Sequence, residues 1–312
     1  MSVKYAAEFN SIVEKAKASK KPMRVAVAGA DVENILLGLF DAQAEGFVEP
    51  ILIGNEAKIL ALLEKLGLKD RKYTLQGISD STNAVQYAIE MINAGDADAL
   101  MRGNTQTRDF LMPVLNKANH LLKDDALVTH VVFLKVPDYP KLLAISDVTL
   151  LINPNMEARK IVVSNMVRAL KVFDINNPNI ALLSLVETPS FQMRDTVEDQ
   201  TIVRHHQAHP IAECNLVGPI AYDLIVSKEA ARLKGYDCPV CGEFDGIVVP
   251  NLISGNLLVK VLQYNGGATG CGILVGARIP IAICSRSDAP EQAFLSLAAC
   301  GAMLDAGKYY FK

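Results

Sequence analysis

The stretch ICSRSDAPE, Ile283 to Glu291, places a serine, an arginine and two carboxylates directly after an apolar run that reads as a buried strand. Strand ends are where open α/β sheets keep their ligands. Arg286 there presents a planar fork that matches a phosphate or carboxylate bidentately, and Ser285 beside it can donate to a developing oxyanion. Asp288-Ala-Pro-Glu291 also has the form of a capping box that opens the last helix, with Pro290 in its first turn. The two readings hold together, because a glutamate fixed at a helix start is well placed to act as a base.

Two further loops carry groups of the same kind. MRGNTQTRDF, Met101 to Phe110, leaves a predicted strand through Gly103 and offers Asn104, Thr105, Gln106 and Thr107 before a helix, a donor-rich turn suited to an anion. VPNLISGNLLVK, Val249 to Lys260, leaves another predicted strand through Asn251 and starts a helix near Gly255 and Asn256, with Lys260 a turn further on. Each fits a plain helix cap as well, since Asn, Ser, Thr and Gly favour helix starts.

The elements that must position these loops recur as strand, turn and helix. MRVAVAGAD reads as a strand and turn, VENILLGLFDAQAEG as a helix ending at Gly46, and PILIG as the next strand. NAVQYAIEMINAG supplies a helix and ADALMRGN a strand and turn; VTHVVFLKV, VTLLI, IALLSLV, GIVVP, GILVGA and PIAIC are continuous apolar runs. Such runs are the pattern of parallel strands covered on both faces, and their alternation with helices specifies an α/β fold with parallel-rich sheets. At 312 residues the chain exceeds one ordinary core and points to two domains.

Composition narrows the function. A net charge of -3 with scattered Lys and Arg argues against nucleic acid. MSVKYAAEFNSIVEKAKASKK has no apolar signal core; Phe9, Ile12, Val13 and Ala16 fall at helical spacing. CGILVGARIPIAIC is broken by Arg278 and Pro280 and is too short for a bilayer, so a cytoplasmic protein without membrane contact is expected. Cys238 and Cys241 with His205, His206 and His209 could be imagined as zinc ligands, but the second CxxC of a knuckle is absent and no metal is expected. VAVAGADVENILLG lacks the GxGxxG spacing of a dinucleotide turn, and there is no GxxxxGK[ST] phosphate loop.

Taken in order, ALMRGNTQT, VLNK, VTHVVFLKVPDYPKL, VGPIAYD, VVPNLISGNLLVK, GILVGARIPI and SRSD resemble the phosphate acetyltransferase and phosphate butyryltransferase family, the butyryl branch in particular, over nearly the whole chain. The resemblance implies acyl transfer between coenzyme A and inorganic phosphate, with CoA as a substrate and no tightly bound cofactor. It implies two α/β domains with a cleft between them, an architecture similar to isocitrate and isopropylmalate dehydrogenases, and a homodimer. The first domain would comprise residues 1–126 plus 272–312, and the second residues 127–271. Ser285, Arg286 and a carboxylate would be catalytic, Glu291 matching the family position best with Asp288 close enough to compete for it. Substrate contacts would come from Arg102, Gly103, Asn104, Thr105, Thr107, Met112, Asn251, Gly255, Asn256 and Lys260.

The chain departs from the family at Met112, where members often carry an arginine; Arg102 or Arg108 could supply that charge instead. Met112 either lends apolar surface to an acyl tail or packs under its own helix. A non-catalytic CoA-binding homologue and a nicotinamide-dependent hydroxy-acid dehydrogenase of similar fold are the alternatives.

Overall fold

Strands form where the apolar runs allow both faces to be buried. The computed structural model describes residues 3–305. Its strands are β1 (Met23–Ala28), β2 (Val48–Gly54), β3 (Thr74–Gly77), β4 (Ala99–Arg102), β5 (Thr129–Lys135), β6 (Leu142–Ser146), β7 (Asn179–Leu183), β8 (Asn215–Ile220), β9 (Gly246–Val248), β10 (Thr269–Val275) and β11 (Ile281–Ala282). The chain divides into two compact units, one made of the chain up to Val128 together with the part from Gly270 onward, the other of Thr129–Thr269.

In the first unit the strand order is β3-β2-β1-β4-β11-β10, parallel except for the β10/β11 pair. β1, β2 and β4 are almost wholly buried, as expected of strands with helices on both faces. The amphipathic N-terminal period becomes the helix Asn10–Ala18 and the short turn before it, burying Phe9, Ile12, Val13 and Ala16. That helix packs against Pro290–Asp305, as does the helix Glu33–Ala44. The contacts are close because they are made at glycines. A Cβ on Gly38 would collide with the Pro290 carbonyl, and one on Gly301 would meet Ala16 Cβ at 2.9 Å. The last helix, and with it the residues just ahead of it, is thereby fixed in depth.

In the second unit the order is β5-β6-β9-β7-β8, parallel except for β5/β6. VTLLI, residues 148–152, is expected to be a strand from its composition and is not one. The neighbouring LLAIS forms β6 instead. The reason lies in Asp147: its Oδ1 accepts the backbone N–H groups of Thr149 at 2.8 Å, Leu150 at 2.6 Å and Leu151 at 3.2 Å, wrapping the chain into a turn around the carboxylate. A side chain that competes for backbone donors overrides β propensity.

Arg159 and Asp199 pair in the interior of this unit, with Arg159 1 % and Asp199 0 % exposed. Burial outweighs the attraction of Arg159 and pushes the Asp199 carboxyl up to about 7, from an ordinary 3.8. A raised carboxyl binds its proton more tightly in the folded chain, so its contribution to stability is full below the ordinary value and is lost as pH rises toward 7. Urea unfolding at pH 5 and pH 8 is therefore expected to show a loss of roughly 1–3 kcal/mol in the wild type that Asp199→Asn lacks. Identical pH dependence of the two proteins would show that the Arg159 charge, not burial, governs this carboxyl.

Candidate active site

β1 and β4 are parallel neighbours, with Ala28 opposite Arg102, so the chain leaves both at the same edge of the sheet. There the Gly103 N–H donates to the Ala28 carbonyl at 2.9 Å and the Asn104 N–H to the Gly29 carbonyl at 2.6 Å. No side chain fits in this crossing. A Cβ on Gly103 would lie inside the Gly29 carbonyl; one on Gly29, which sits at φ +78, would meet the Asn104 nitrogen at 2.8 Å. The crossing sets Asn104 over the strand ends, where its Nδ2 donates to Asp31 Oδ2 at 3.2 Å and its Oδ1 faces Arg286 Nη1 at 3.5 Å. The Thr105 hydroxyl is buried and has no hydrogen-bond partner among the described residues. Thr107, at the start of the next helix, accepts from Arg102 Nη1 at 2.9 Å.

β11 runs parallel to β4 and delivers Ser285 and Arg286 to the same edge. The turn that follows is closed by Asp288: its N–H donates to the Ser285 carbonyl at 3.0 Å, and its Oδ2 accepts the Ser285 N–H at 2.7 Å. Gln292 faces the same carboxylate; with its amide nitrogen turned that way, as the network requires, it donates to the two oxygens at 3.0 and 3.1 Å. Asn34 Nδ2 donates to the Asp288 carbonyl at 2.9 Å, tying the turn to the helix Glu33–Ala44. The Ser285 and Ser287 hydroxyls lie 3.0 Å apart. Glu291 stands half-buried in the first turn of Pro290–Asp305.

Arg102 is only 8 % exposed and points inward, donating through Nη2 to the Cys284 carbonyl. Burial holds its guanidinium below the usual arginine range, with the charge of Arg286 acting in the same sense and that of Asp288 against it. Cys284 adjoins the site but is no nucleophile, since burial pushes its thiol up to about 12. Met112 is 59 % exposed, so it does not pack under its helix. The charges of Arg102 and Arg286 act on one another, whereas Arg108 lies exposed on the helix Thr107–Leu115.

In the second unit Asn251 caps the helix Leu252–Tyr264, accepting the Ser254 N–H at 3.0 Å. Gly255 lies against the Asp147 carbonyl, which a Cβ would meet at 2.5 Å, and Asn256 Nδ2 donates to the Val148 carbonyl at 3.2 Å. Lys260 Nζ sits 5.4 Å from the Tyr264 ring centre. The Asp147 turn thus carries this loop. Burial holds the Asp147 carboxyl above its usual range against the pull of four backbone amides, the fourth from His130 at 2.6 Å. Among the described residues no group of three or more His, Cys, Asp or Glu is arranged to hold a metal ion.

Several residues that shape these loops escape a reading of the sequence: in the first unit Gly29, Asp31 and Asn34, at the turn after β1 and the helix start that follows it, and Gln292, and in the second unit Asp147. The signal available for the first three was VAGADVEN, whose small residues and polar groups were legible only as a tight turn. Their partners lie some 70 to 250 positions away along the chain.

Strand ends that bring together an arginine, a serine and a donor-rich glycine loop define an α/β protein built to handle a small anionic substrate. A family model described as Phosphate acetyl/butaryl transferase matches residues 68–300, and the chain belongs to that family. It is 31 % identical over 290 residues to a phosphate butyryltransferase of Clostridium acetobutylicum, covering 93 % of this chain and 96 % of that protein. A phosphate acetyltransferase of Thermotoga maritima is 30 % identical over 290 residues, covering 93 % and 97 %. The crystal structure of a branched-chain phosphotransacylase from Enterococcus faecalis V583 superposes with a TM-score of 0.78 at 28 % identity, over 90 % of this chain and 99 % of that one.

Gly103→Ala is expected to lower stability by about 2 kcal/mol or more, because the added methyl displaces backbone and not a flexible side chain. A melting temperature equal to that of the wild type would show that the crossing relaxes freely.

Proposed function

We propose that this protein moves a short acyl group between coenzyme A and inorganic phosphate, acyl-CoA plus phosphate giving acyl phosphate plus CoA, with Ser285, Arg286 and Glu291 carrying the reaction. The observation that supports this most directly is the approach of Arg286 to Asn104, which joins the serine-arginine turn to the glycine loop at one edge of the sheet. In the direction of thioester synthesis, a free thiol of pKa about 8.5 is mostly protonated at neutral pH, and a base must release the thiolate. Glu291 takes that proton. The thiolate attacks the carbonyl carbon of the acyl phosphate, Ser285 Oγ donates to the tetrahedral oxyanion, and the C–O bond to the phosphate breaks. Arg286 holds the phosphoryl oxygens throughout. Both substrates are bound together and no acyl-enzyme forms; the cysteines take no part.

Asn104, Thr105 and Thr107 sit on the glycine loop as donors for the same anion. The buried, unpartnered Thr105 hydroxyl supports a role for that loop in binding. Gly103 lets the loop cross, and Asn251, Gly255, Asn256 and Lys260 are assigned as substrate contacts on the family resemblance. CoA is a substrate, with no tightly bound cofactor. The protein works in the cytoplasm, a reading supported by six free cysteines, and among the described residues no helix is long and apolar enough to cross a membrane. It acts as a homodimer; the helix Leu252–Tyr264 turns Ile253, Leu257, Val261 and Tyr264 outward, an apolar face of the kind subunit contacts cover.

Arg286→Ala is expected to raise KM for phosphate and to lower turnover, at a cost of roughly 2–4 kcal/mol in transition-state stabilisation, with Ser285→Ala lowering turnover mainly. Glu291→Gln should cost about 100-fold or more in kcat with little change in melting temperature. CoA release from acyl-CoA on addition of phosphate measures all three, and unchanged kinetics throughout would dispose of the assignment. The same assay with acetyl-, propionyl-, butyryl- and isobutyryl-CoA reads acyl preference. Met112, exposed and apolar, favours the longer or branched chains by about tenfold in kcat/KM, and Met112→Arg should shift preference toward acetyl. An acyl profile that Met112→Arg leaves in place would take Met112 out of the substrate site.

A further inference from the structure

Arg102 and Asp288 meet the same peptide group. Arg102 Nη2 donates to the Cys284 carbonyl, and Asp288 Oδ2 accepts the Ser285 N–H at 2.7 Å; that carbonyl and that N–H are the two ends of the single amide joining Cys284 to Ser285. A cation on the oxygen and an anion on the nitrogen side draw the amide's dipole in one sense, and each bond is charge-assisted, the stronger class of hydrogen bond. Rotating that peptide plane breaks both at once. Its orientation sets ψ of Cys284 and φ of Ser285, and so the direction in which Ser285 Oγ and the Arg286 side chain leave the strand.

Both charged groups are themselves held. Arg102 is anchored through Nη1 to Thr107 Oγ1 at 2.9 Å, which links the serine-arginine turn to the start of the helix after the glycine loop. Asp288 is held by the Gln292 amide, by its own N–H on the Ser285 carbonyl at 3.0 Å, and by Asn34 on its carbonyl at 2.9 Å. A guanidinium this deeply buried, tied by two bonds to protein acceptors, is a part of the frame and not a free contact for substrate. The Asp288 carboxylate accepts an amide N–H and faces the Gln292 amide, bonds that hold it within the turn.

We propose that Arg102 and Asp288 are paired positioning residues that clamp the Cys284–Ser285 peptide between opposite charges and thereby aim Ser285 and Arg286 at the acyl phosphate. The proposal rests on the phosphate acyltransferase reading for what is being aimed, but the clamp itself is a property of one amide and can be read without turnover. It assigns Asp288 to the frame and leaves proton transfer to Glu291.

The experiment compares Asp288→Asn, Asp288→Ala, Arg102→Lys, Arg102→Met and the double variant Arg102→Met/Asp288→Ala with the wild type. Steady-state kinetics with butyryl-CoA and phosphate are measured across pH, and the Ser285 amide is followed by NMR in protein labelled with 15N-serine, assigned through Ser285→Ala. Asn keeps an acceptor oxygen for the Ser285 N–H, so Asp288→Asn is expected to retain the shifted amide resonance and to stay within about 5-fold of wild-type kcat, with the acid limb of the pH profile in place. Asp288→Ala and Arg102→Met should each lose roughly 10- to 100-fold in kcat with KM for phosphate little changed, because the reacting groups are misaimed while the anion still binds. Arg102→Lys should recover part of the loss, and the double variant should cost clearly less than the product of the single effects, since both act on one peptide.

The proposal is overturned if Asp288→Asn is as inactive as Asp288→Ala and loses the acid limb, which would make Asp288 the base. It is equally overturned if Arg102→Met raises KM for phosphate at constant kcat, or if the two single losses multiply. Should Arg102→Met fail to fold, the Asp288→Asn and Asp288→Ala pair and the Ser285 amide resonance decide the matter alone. A wild type that shows the amide behaviour but no phosphate-dependent CoA release would refute the acyltransferase reading and leave the clamp standing.

Discussion

The Asn104 N–H reaches the Gly29 carbonyl at 2.6 Å only because neither Gly29 nor Gly103 carries a side chain. This backbone crossing above β1 and β4 is the constraint on which the site depends. It holds the glycine loop flat against the strand ends, so that Asn104 can touch both Asp31 and Arg286. Had the loop stood a methyl group higher, those contacts would be out of reach. A parallel sheet supplies the common edge, and close backbone approach decides what can be placed on it.

A second rule governs the charged residues. Three buried charged groups are each held by backbone groups, a hydroxyl or an opposite charge: Asp147 by four amides, Asp199 by Arg159, and Arg102 by a carbonyl and a hydroxyl. The desolvation of each is offset only in part, since burial still sets the direction in which each group is shifted, and in two of the three cases the compensating group is the backbone of a loop with a proposed role. Asp147 shapes the turn against which Gly255 and Asn256 are seated, and Arg102 grips the peptide ahead of Ser285. Buried polarity at Asp147 and Arg102 specifies loop conformation.

Helix packing transmits the same order to the site's other half. Gly38 lets Glu33–Ala44 come against the start of Pro290–Asp305, and Asn34 on that helix bonds to the Asp288 carbonyl. The turn that carries Ser285 and Arg286 is therefore fixed from below by β11, from the side by Arg102 and from behind by the packing of a nearly all-apolar helix. A loop held on three sides needs little rearrangement to present a serine hydroxyl and a guanidinium in constant relation, which is what an anion-handling site requires.

The sequence by itself determined the α/β class, most of the strands and helices, and the family, because continuous apolar runs, helical periods and loop motifs such as GNTQT and SRSD are local patterns. Tertiary structure alone decided what depends on partners far apart in the chain. VTLLI has strand composition but folds around Asp147, whose preference for backbone donors no window of hydrophobicity reveals. Met112 could be weighed in the sequence as buried or exposed, and only the packing of its helix turned it outward. Arg102 looked like one more cation beside a glycine loop. That it points inward, to a carbonyl 182 positions away, follows from the parallel pairing of β4 with β11, which places Cys284 next to it. Local propensity names the elements, but which side chain faces a substrate and which faces the backbone is set by the register in which distant strands meet.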